Sequence, residues 1–423
     1  MIFKNSVLLA IFGLLSVLLG IFRDRLLSTM VGIGPVLDIY NAAFRVPDFL
    51  YALSLAFVTS GTVVPFLTVE DKKGNIIDAR HKLSSIALFF GGVISLFAIV
   101  IAFTLPLYAE KIVPGFSKEQ VEVFISVTRL LLIQPILLGL TSLISCFAQL
   151  KNHFILYGIA PLGYSLGIIG GIVFLYPSYG IFGLIYGVLF GALLSLVIQL
   201  FSLRNAHMMQ VFPYFSFADI KAIVRIGLPR TGVNVLSQVR NIFFTAFATT
   251  LGPGVLTSYL FAQRVTDAVT QIIQQSVTTV SIPVLSKEYV ENRLSEYRYL
   301  VKKYVMILGL IGALVAIVVY ALEDLIIWLL YGSTSYNELI VFFLKGFLLS
   351  LPFTMMIGYF TISLYAVKDT KSVLFSNFFS TIIALFVCYF TQSQGVISLL
   401  YAVISMAISN FLLIFLLYSR KDL

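Results

Sequence analysis

Four of the arginines inside apolar stretches of this chain are candidates for ligand binding, because a charged side chain there is costly and usually functional. They are Arg23, Arg45, Arg240 and Arg264. Each guanidinium presents a planar pair of N–H donors that matches two oxygens of a phosphate or a carboxylate. Together these side chains predict a site for an anionic head group, and a diphosphate matches such a set of donors.

Carboxylates accompany two of these arginines. Asp48 follows Arg45 by three residues and Asp267 follows Arg264 by three, so each acid lies one helical turn from its arginine. Two interpretations stay open, because the acids could tune arginines that bind a ligand or could simply neutralise them. Asp38 has the same ambiguity, since an aspartate after a glycine turn either caps a helix or supports the site.

The remaining intramembrane charges are interpreted as structural. Arg25, beside Asp24, is typical of an interfacial anchor, and long basic side chains near a membrane surface extend their charge to water. Arg129 and Lys345 are single charges on their predicted helices and are assigned structural roles.

The stretch that holds two of the arginines, residues 20–65, has a second copy at residues 251–283. The matched residues are Gly32 with Gly252, Gly34 with Gly254, Tyr40 with Tyr259, Ala43 with Ala262, Arg45 with Arg264, Val46 with Val265, Asp48 with Asp267 and Pro65 with Pro283. Repeated halves are typical of transporters. We therefore predict two related six-helix lobes, residues 1–203 and 222–423, joined by a cytoplasmic or interfacial segment, residues 204–221. If the lobes face each other across a pseudo-twofold axis, the four arginines converge on a central cationic cavity.

Composition assigns the chain to the membrane. Hydrophobic residues make up 59% and charged residues 11% of the chain, and the mean hydropathy is +1.01. A soluble fold could not bury so much apolar surface, so we predict an all-α polytopic membrane protein. Apolar runs predict twelve crossings, at residues 6–30, 38–69, 83–109, 121–150, 154–176, 179–203, 223–251, 255–285, 299–330, 336–367, 373–390 and 396–418.

Loop charge predicts the orientation. With both termini inside, the inner loops collect most of the 28 basic residues, among them Lys72, Lys73, Lys302 and Lys303. The net charge of +9 therefore reflects topology and predicts no nucleic-acid partner.

Motifs of catalysis and of cofactor binding are missing from the sequence. Cys146 and Cys388 lie in apolar runs, and the three histidines, at positions 81, 153 and 207, lack the spacing of metal ligands. No nucleotide-binding loop occurs, so any uphill step would need an ion gradient or the membrane potential. We predict a protein that is not an enzyme and that has no cofactor and no metal.

Several segments in order resemble one family of transporters. They are residues 19–50, 113–116 (VPGF), 128–135 (TRLLLIQP), 259–264 (YLFAQR) and 364–371 (LYAVKDTK). The chain is similar over nearly its whole length to the MurJ/MviN lipid II flippases of the multidrug/oligosaccharidyl-lipid/polysaccharide exporter superfamily. The resemblance implies alternating-access transfer of an undecaprenyl-diphosphate-linked peptidoglycan precursor across a bacterial inner membrane, with cell-wall synthesis proteins as possible partners. Arg23 and Arg264 fall on two positions where that family has cavity arginines.

Departures from the family pattern are equally specific. Val17 and Tyr51 stand where two more arginines are expected, Ala56 replaces an acidic residue, and Phe244 replaces an aspartate that binds sodium in some members. Typical members also add two helices after the twelfth, which form a groove for the lipid tail. Two alternatives therefore stay open, a flippase for another lipid-linked oligosaccharide and a multidrug-type antiporter of the same superfamily.

Overall fold

The structure is a computed structural model that describes residues 2–58, 63, 76–151, 153–205 and 214–421. These residues are almost entirely helical, and no strand occurs among them. The predicted all-α class is confirmed. The helices are α1 Ile2–Leu26, α2 Pro35–Ala43, α3 Arg45–Val58, α4 Ile76–Thr104, α5 Ala109–Ile112, α6 Lys118–Leu131, α7 Gln134–Leu150, α8 Phe154–Gly170, α9 Tyr176–Tyr179, α10 Ile181–Asn205, α11 Phe217–Thr250, α12 Val255–Val290, α13 Leu294–Ala321, α14 Glu323–Tyr331, α15 Asn337–Ala366, α16 Thr370–Phe390 and α17 Ile397–Ser419.

Among the described residues, 8 helical segments are long and apolar enough to cross a membrane. They match the predicted crossings three to six and nine to twelve. The other four predicted crossings correspond to α1, α2 with α3, α11 and α12, which contain Arg23, Arg45, Arg240 and Arg264.

The second predicted crossing is wrong in its bounds and its continuity. The helix begins at Pro35, is interrupted at Phe44 and resumes as α3. Proline suits the first helical position because its missing N–H has no helical partner there. Gly34 is consequently the N-cap, so Asp38 is not a cap; it lies in the first turn and is buried. The predicted continuation of this crossing, residues 59–69, lies outside the described residues, apart from Val63.

Three other predicted boundaries are corrected. The fourth crossing is one segment, Lys118–Leu150, whose helix is interrupted at Leu132 and Ile133, just before Pro135. The ninth crossing ends at Ala321, and the acidic pair Glu323 and Asp324 begins the separate helix α14. The seventh begins at Phe217, inside the segment 204–221, rather than at Ile223.

The described chain divides into two compact units, Met1–Ile242 and Phe243–Leu423. The boundary falls within α11, which begins in the first unit and ends in the second. The division into lobes at residues 203 and 222 stays a prediction, and residues 206–213 of the predicted linker lie outside the described part of the chain.

The two single charges have local partners that agree with structural roles. Lys345 forms an ion pair of 3.0 Å with Glu323. Arg129 donates its Nε–H to the carbonyl oxygen of Ala102 at 2.8 Å. Residue 106 is proline, which has no N–H to offer the carbonyl four residues earlier. Arg129 therefore satisfies an oxygen of α4 that Pro106 leaves without its helical donor.

We expect Arg129→Leu to lower the free energy of unfolding by about 1–2 kcal/mol, because the Ala102 carbonyl loses its donor. Thermal unfolding in detergent measures this, with a thiol-reactive dye that reports the exposure of the buried Cys146 and Cys388. Pro106→Ala in the same background restores a backbone N–H and should recover part of the loss. A melting temperature unchanged by Arg129→Leu would show that this contact does not stabilise the fold.

Candidate functional site

Arg23 lies in the last turn of α1 and is fixed by its neighbour. Its Nε donates to Oδ1 of Asp24 at 2.9 Å, and Nη2 lies 2.9 Å from the same oxygen. The Asp24 residue is buried, whereas 24% of the Arg23 side chain is exposed. Asp24 thus holds one edge of the guanidinium, and the Arg23 side chain as a whole stays partly exposed.

Tyrosines of other helices surround this pair. Electrostatic interactions connect Arg23 with Tyr40 of α2 and Tyr164 of α8. Tyr164 also interacts with Asp48 and Tyr51 of α3. Four helices of the first unit therefore bring a cation, an acid and three phenol hydroxyls into one polar region.

Amide and hydroxyl groups of α7 order two of these tyrosines. The side-chain amide of Gln134 donates to the hydroxyl of Tyr164 at 2.8 Å. The hydroxyls of Tyr51 and Ser142 share a hydrogen bond of 2.9 Å. Tyr51, which stands where the family resemblance implies an arginine, thus has a partner within its own unit.

Arg45 and Asp48 behave as the local pair that their spacing allowed. Arg45 begins α3, Asp48 lies in its first turn, and the two half-buried side chains attract each other. An acid in the first turn of a helix is also stabilised by the positive end of the helix dipole. The pairing does not decide between ligand binding and neutralisation, because a half-buried guanidinium can contact a carboxylate and a second anion at once.

Arg264 lies in α12 of the second unit. Its residue is half-buried, its Nη1 atom is buried, and its guanidinium carbon lies 5.4 Å from the ring centre of Phe261. Such a distance is typical of a cation–π contact. Asp267 is exposed, one turn further along the helix.

Arg240 is half-buried in the part of α11 that belongs to the first unit. The structure therefore brings Arg23, Asp48 and several tyrosines together in one unit and places Arg264 in the other. The convergence of all four arginines on one cavity stays a prediction.

Sequence reasoning missed Asp24, Gln134 and Tyr164. Asp24 is adjacent to both Arg23 and Arg25, and adjacent residues on a helix do not normally face each other, so a bond to Arg23 is not expected. Gln134 and Tyr164 meet from different helices, and their types carry no signal of their own in an apolar sequence. Among the described residues, no group of histidine, cysteine, aspartate or glutamate could hold a metal ion.

Comparisons with known proteins identify relatives over nearly the whole chain. The family model described as lipid II flippase MurJ matches residues 27–423. A probable lipid II flippase MurJ of Buchnera aphidicola subsp. Baizongia pistaciae is 24% identical over 99% of this chain and 83% of its own length. The lipid II flippase MurJ of Burkholderia cenocepacia is 23% identical over 70% of this chain and 59% of its own length.

Solved structures show the same fold. A lipid II flippase MurJ in an inward closed conformation has a TM-score of 0.79 and 21% identity, covering 98% of this chain and 88% of its own. An inward-facing multidrug resistance MATE family transporter has a TM-score of 0.77 and 18% identity, covering 96% and 94%. The two scores are nearly equal, so these likenesses show a shared fold, and it is the family model that separates the two kinds of transporter.

Proposed function

Since this chain belongs to the MurJ family of lipid II flippases, matched over residues 27–423, we propose that it moves lipid II from the inner to the outer leaflet of a bacterial cytoplasmic membrane. The family is one of transporters, and the chain is a multi-pass membrane protein. The family match over residues 27–423 carries this proposal. Both termini are proposed to face the cytoplasm, on the evidence of the loop charges.

The proposed ligands of the diphosphate are Arg23, Arg45, Arg240 and Arg264. A diphosphate carries several negative oxygens, each of which accepts charge-assisted hydrogen bonds from guanidinium groups. Arg23 is the best prepared of the three that lie in the first unit, because Asp24 fixes its orientation. Fixing a long side chain before binding lowers the entropy that binding would otherwise cost.

The three acids near these arginines are proposed to have different roles. Asp48 attracts Arg45 and interacts with Tyr164, so it can hold the arginine while the ligand is absent. Asp38 is buried in the first turn of α2, and Asp267 is exposed on α12. We therefore assign the tuning of Arg45 to Asp48, the tuning of Arg264 to Asp267, which lies one turn further along α12, and a supporting electrostatic role to Asp38.

A second candidate, a flippase for another lipid-linked oligosaccharide, is favoured by one observation. Val17 and Tyr51 occupy positions where the family resemblance implies arginines, and Tyr51 already bonds with Ser142. A head group with different anionic or polar groups would tolerate this change. The multidrug-type antiporter is not favoured, because the family match is to MurJ.

Complementation tests the function. A bacterial host is depleted of its own lipid II flippase while this chain is expressed, and growth is followed together with the amount of chain in the membrane. Rescue of growth and of normal cell shape supports lipid II transfer. Lack of rescue at full membrane expression contradicts it for that host's lipid II. The same chain in vesicles loaded with a different undecaprenyl-diphosphate-linked glycan then tests the second candidate.

A further inference from the structure

A stack of two aromatic rings lies beside Arg264 in the second unit. The rings of Phe261, in α12, and Tyr331, at the end of α14, have centres 4.2 Å apart and planes only 2° from parallel. The hydroxyl of Tyr331 also donates to the carbonyl oxygen of Phe261 at 2.8 Å. Tyr331 therefore holds Phe261 at both its ring and its backbone.

This contact has little freedom. Phe261 is 0% and Tyr331 2% exposed, so neither ring has space to turn. Arg264, one turn after Phe261, places its guanidinium carbon 5.4 Å from the Phe261 ring centre. The flat guanidinium is attracted to the negative face of an aromatic ring, and a ring that cannot turn limits the orientations it can adopt.

We propose that Tyr331 is a positioning residue for Arg264, acting through the ring of Phe261. This inference rests on the proposed function, in which Arg264 contacts the diphosphate. An arginine side chain has considerable rotamer freedom, and a fixed aromatic surface removes part of it before the ligand arrives. Residues 264 and 331 are distant in sequence, and the sequence does not predict α14 as a separate helix, so no sequence pattern indicates the link.

A double-mutant cycle on the full-length chain tests the proposal. The probe is undecaprenyl diphosphate, and undecaprenol, which lacks the phosphates, is the ligand control. Binding to the purified chain in detergent is measured for wild type, Tyr331→Phe, Arg264→Ala and the double variant. Tyr331→Phe keeps the stacked ring and removes only the hydrogen bond to Phe261.

The chain offers a matched control in Tyr297. This residue is 0% exposed in the same unit, and its hydroxyl donates to the carbonyl oxygen of Ser363 at 2.9 Å. Tyr297→Phe therefore removes a comparable buried hydrogen bond elsewhere. Melting temperatures of both variants show whether their structural costs are equal.

We expect Tyr331→Phe to weaken binding of undecaprenyl diphosphate about fivefold, the equivalent of one ordinary hydrogen bond, and to leave the binding of undecaprenol unchanged. In the Arg264→Ala background the same change should have no further effect, because the group it positions is absent. Tyr297→Phe should have the same melting temperature as Tyr331→Phe but should bind undecaprenyl diphosphate with the affinity of wild type.

Either of two results overturns the inference. In the first, Tyr331→Phe weakens the binding of undecaprenyl diphosphate equally in the wild-type and the Arg264→Ala background. In the second, Arg264→Ala binds undecaprenyl diphosphate poorly, but Tyr331→Phe binds it as tightly as Tyr297→Phe does. A different result would contradict the proposed function itself: the wild-type chain would bind undecaprenyl diphosphate and undecaprenol with equal affinity. The two failures are thus separable in one set of measurements.

Discussion

Arg264→Ala is expected to abolish rescue of a host depleted of its lipid II flippase, although the wild-type chain restores growth. The side chain is half-buried against Phe261, so alanine removes a positioned cation and leaves no basic group of the same helix turn to replace it. A charge-assisted contact to phosphate contributes about 1.5–3 kcal/mol. The flipping rate in vesicles should therefore fall by about tenfold to 150-fold.

Arg264→Lys separates charge from geometry. Lysine keeps one positive charge but cannot make the two-point contact of a guanidinium or stack on Phe261 in the same way. We expect an intermediate rate. Arg298→Ala is the matched control, since Arg298 is an exposed arginine of the same unit and its loss removes the same net charge. Equal activity of Arg264→Ala and Arg298→Ala at equal expression would remove Arg264 from the mechanism.

The sequence predicts well what the membrane alone dictates. Twenty or so apolar residues must form a helix, because backbone groups in lipid have to bond within their own segment. That rule is enough to predict the all-α class and the eight crossings that the structure contains as long apolar helical segments. The repeat of the Arg45 and Asp48 pattern at Arg264 and Asp267 also identifies two of the helices that depart from ordinary spans.

Apolarity does not report the path of the backbone inside the membrane. The interruptions at Phe44 and between α6 and α7 lie within runs whose average hydropathy is high, so a hydropathy average assigns each run to one continuous span. Contacts between distant residues are equally invisible. Nothing in the types of Ala102, Pro106 and Arg129 indicates that the arginine bonds the carbonyl oxygen of Ala102.

Glycines determine how closely α10 packs against α8 and against the helical turn that follows α8. A Cβ added at Gly187 would lie 2.5 Å from the Cα of Gly171, and one at Gly167 would lie 2.2 Å from the Cα of Gly191. The opposing atoms belong to the backbone and cannot rotate away. Small residues at such spacing let membrane helices approach closely enough for extensive van der Waals contact.

We expect Gly187→Ala to destabilise the first unit by about 1–3 kcal/mol, because the added methyl group forces α10 away from the helical turn at Gly171. Gly187→Leu should prevent accumulation of folded chain in the membrane, since a larger side chain requires a larger separation. Fluorescence-detected gel filtration of the solubilised chain measures the folded fraction, and thermal unfolding measures the loss in the alanine variant.

Gly170→Ala is the matched control for this prediction. It makes the same substitution at the end of α8, next to Gly171, but a Cβ there meets nothing within 4 Å. Because alanine is also the better helix former, this variant should be as stable as wild type or slightly more stable. If Gly187→Ala and Gly170→Ala melt at the same temperature, the two helices separate at little cost. The close approach of α8 and α10 would then not be what stabilises the first unit, and the polar contacts around Tyr164 would have to supply that stability instead.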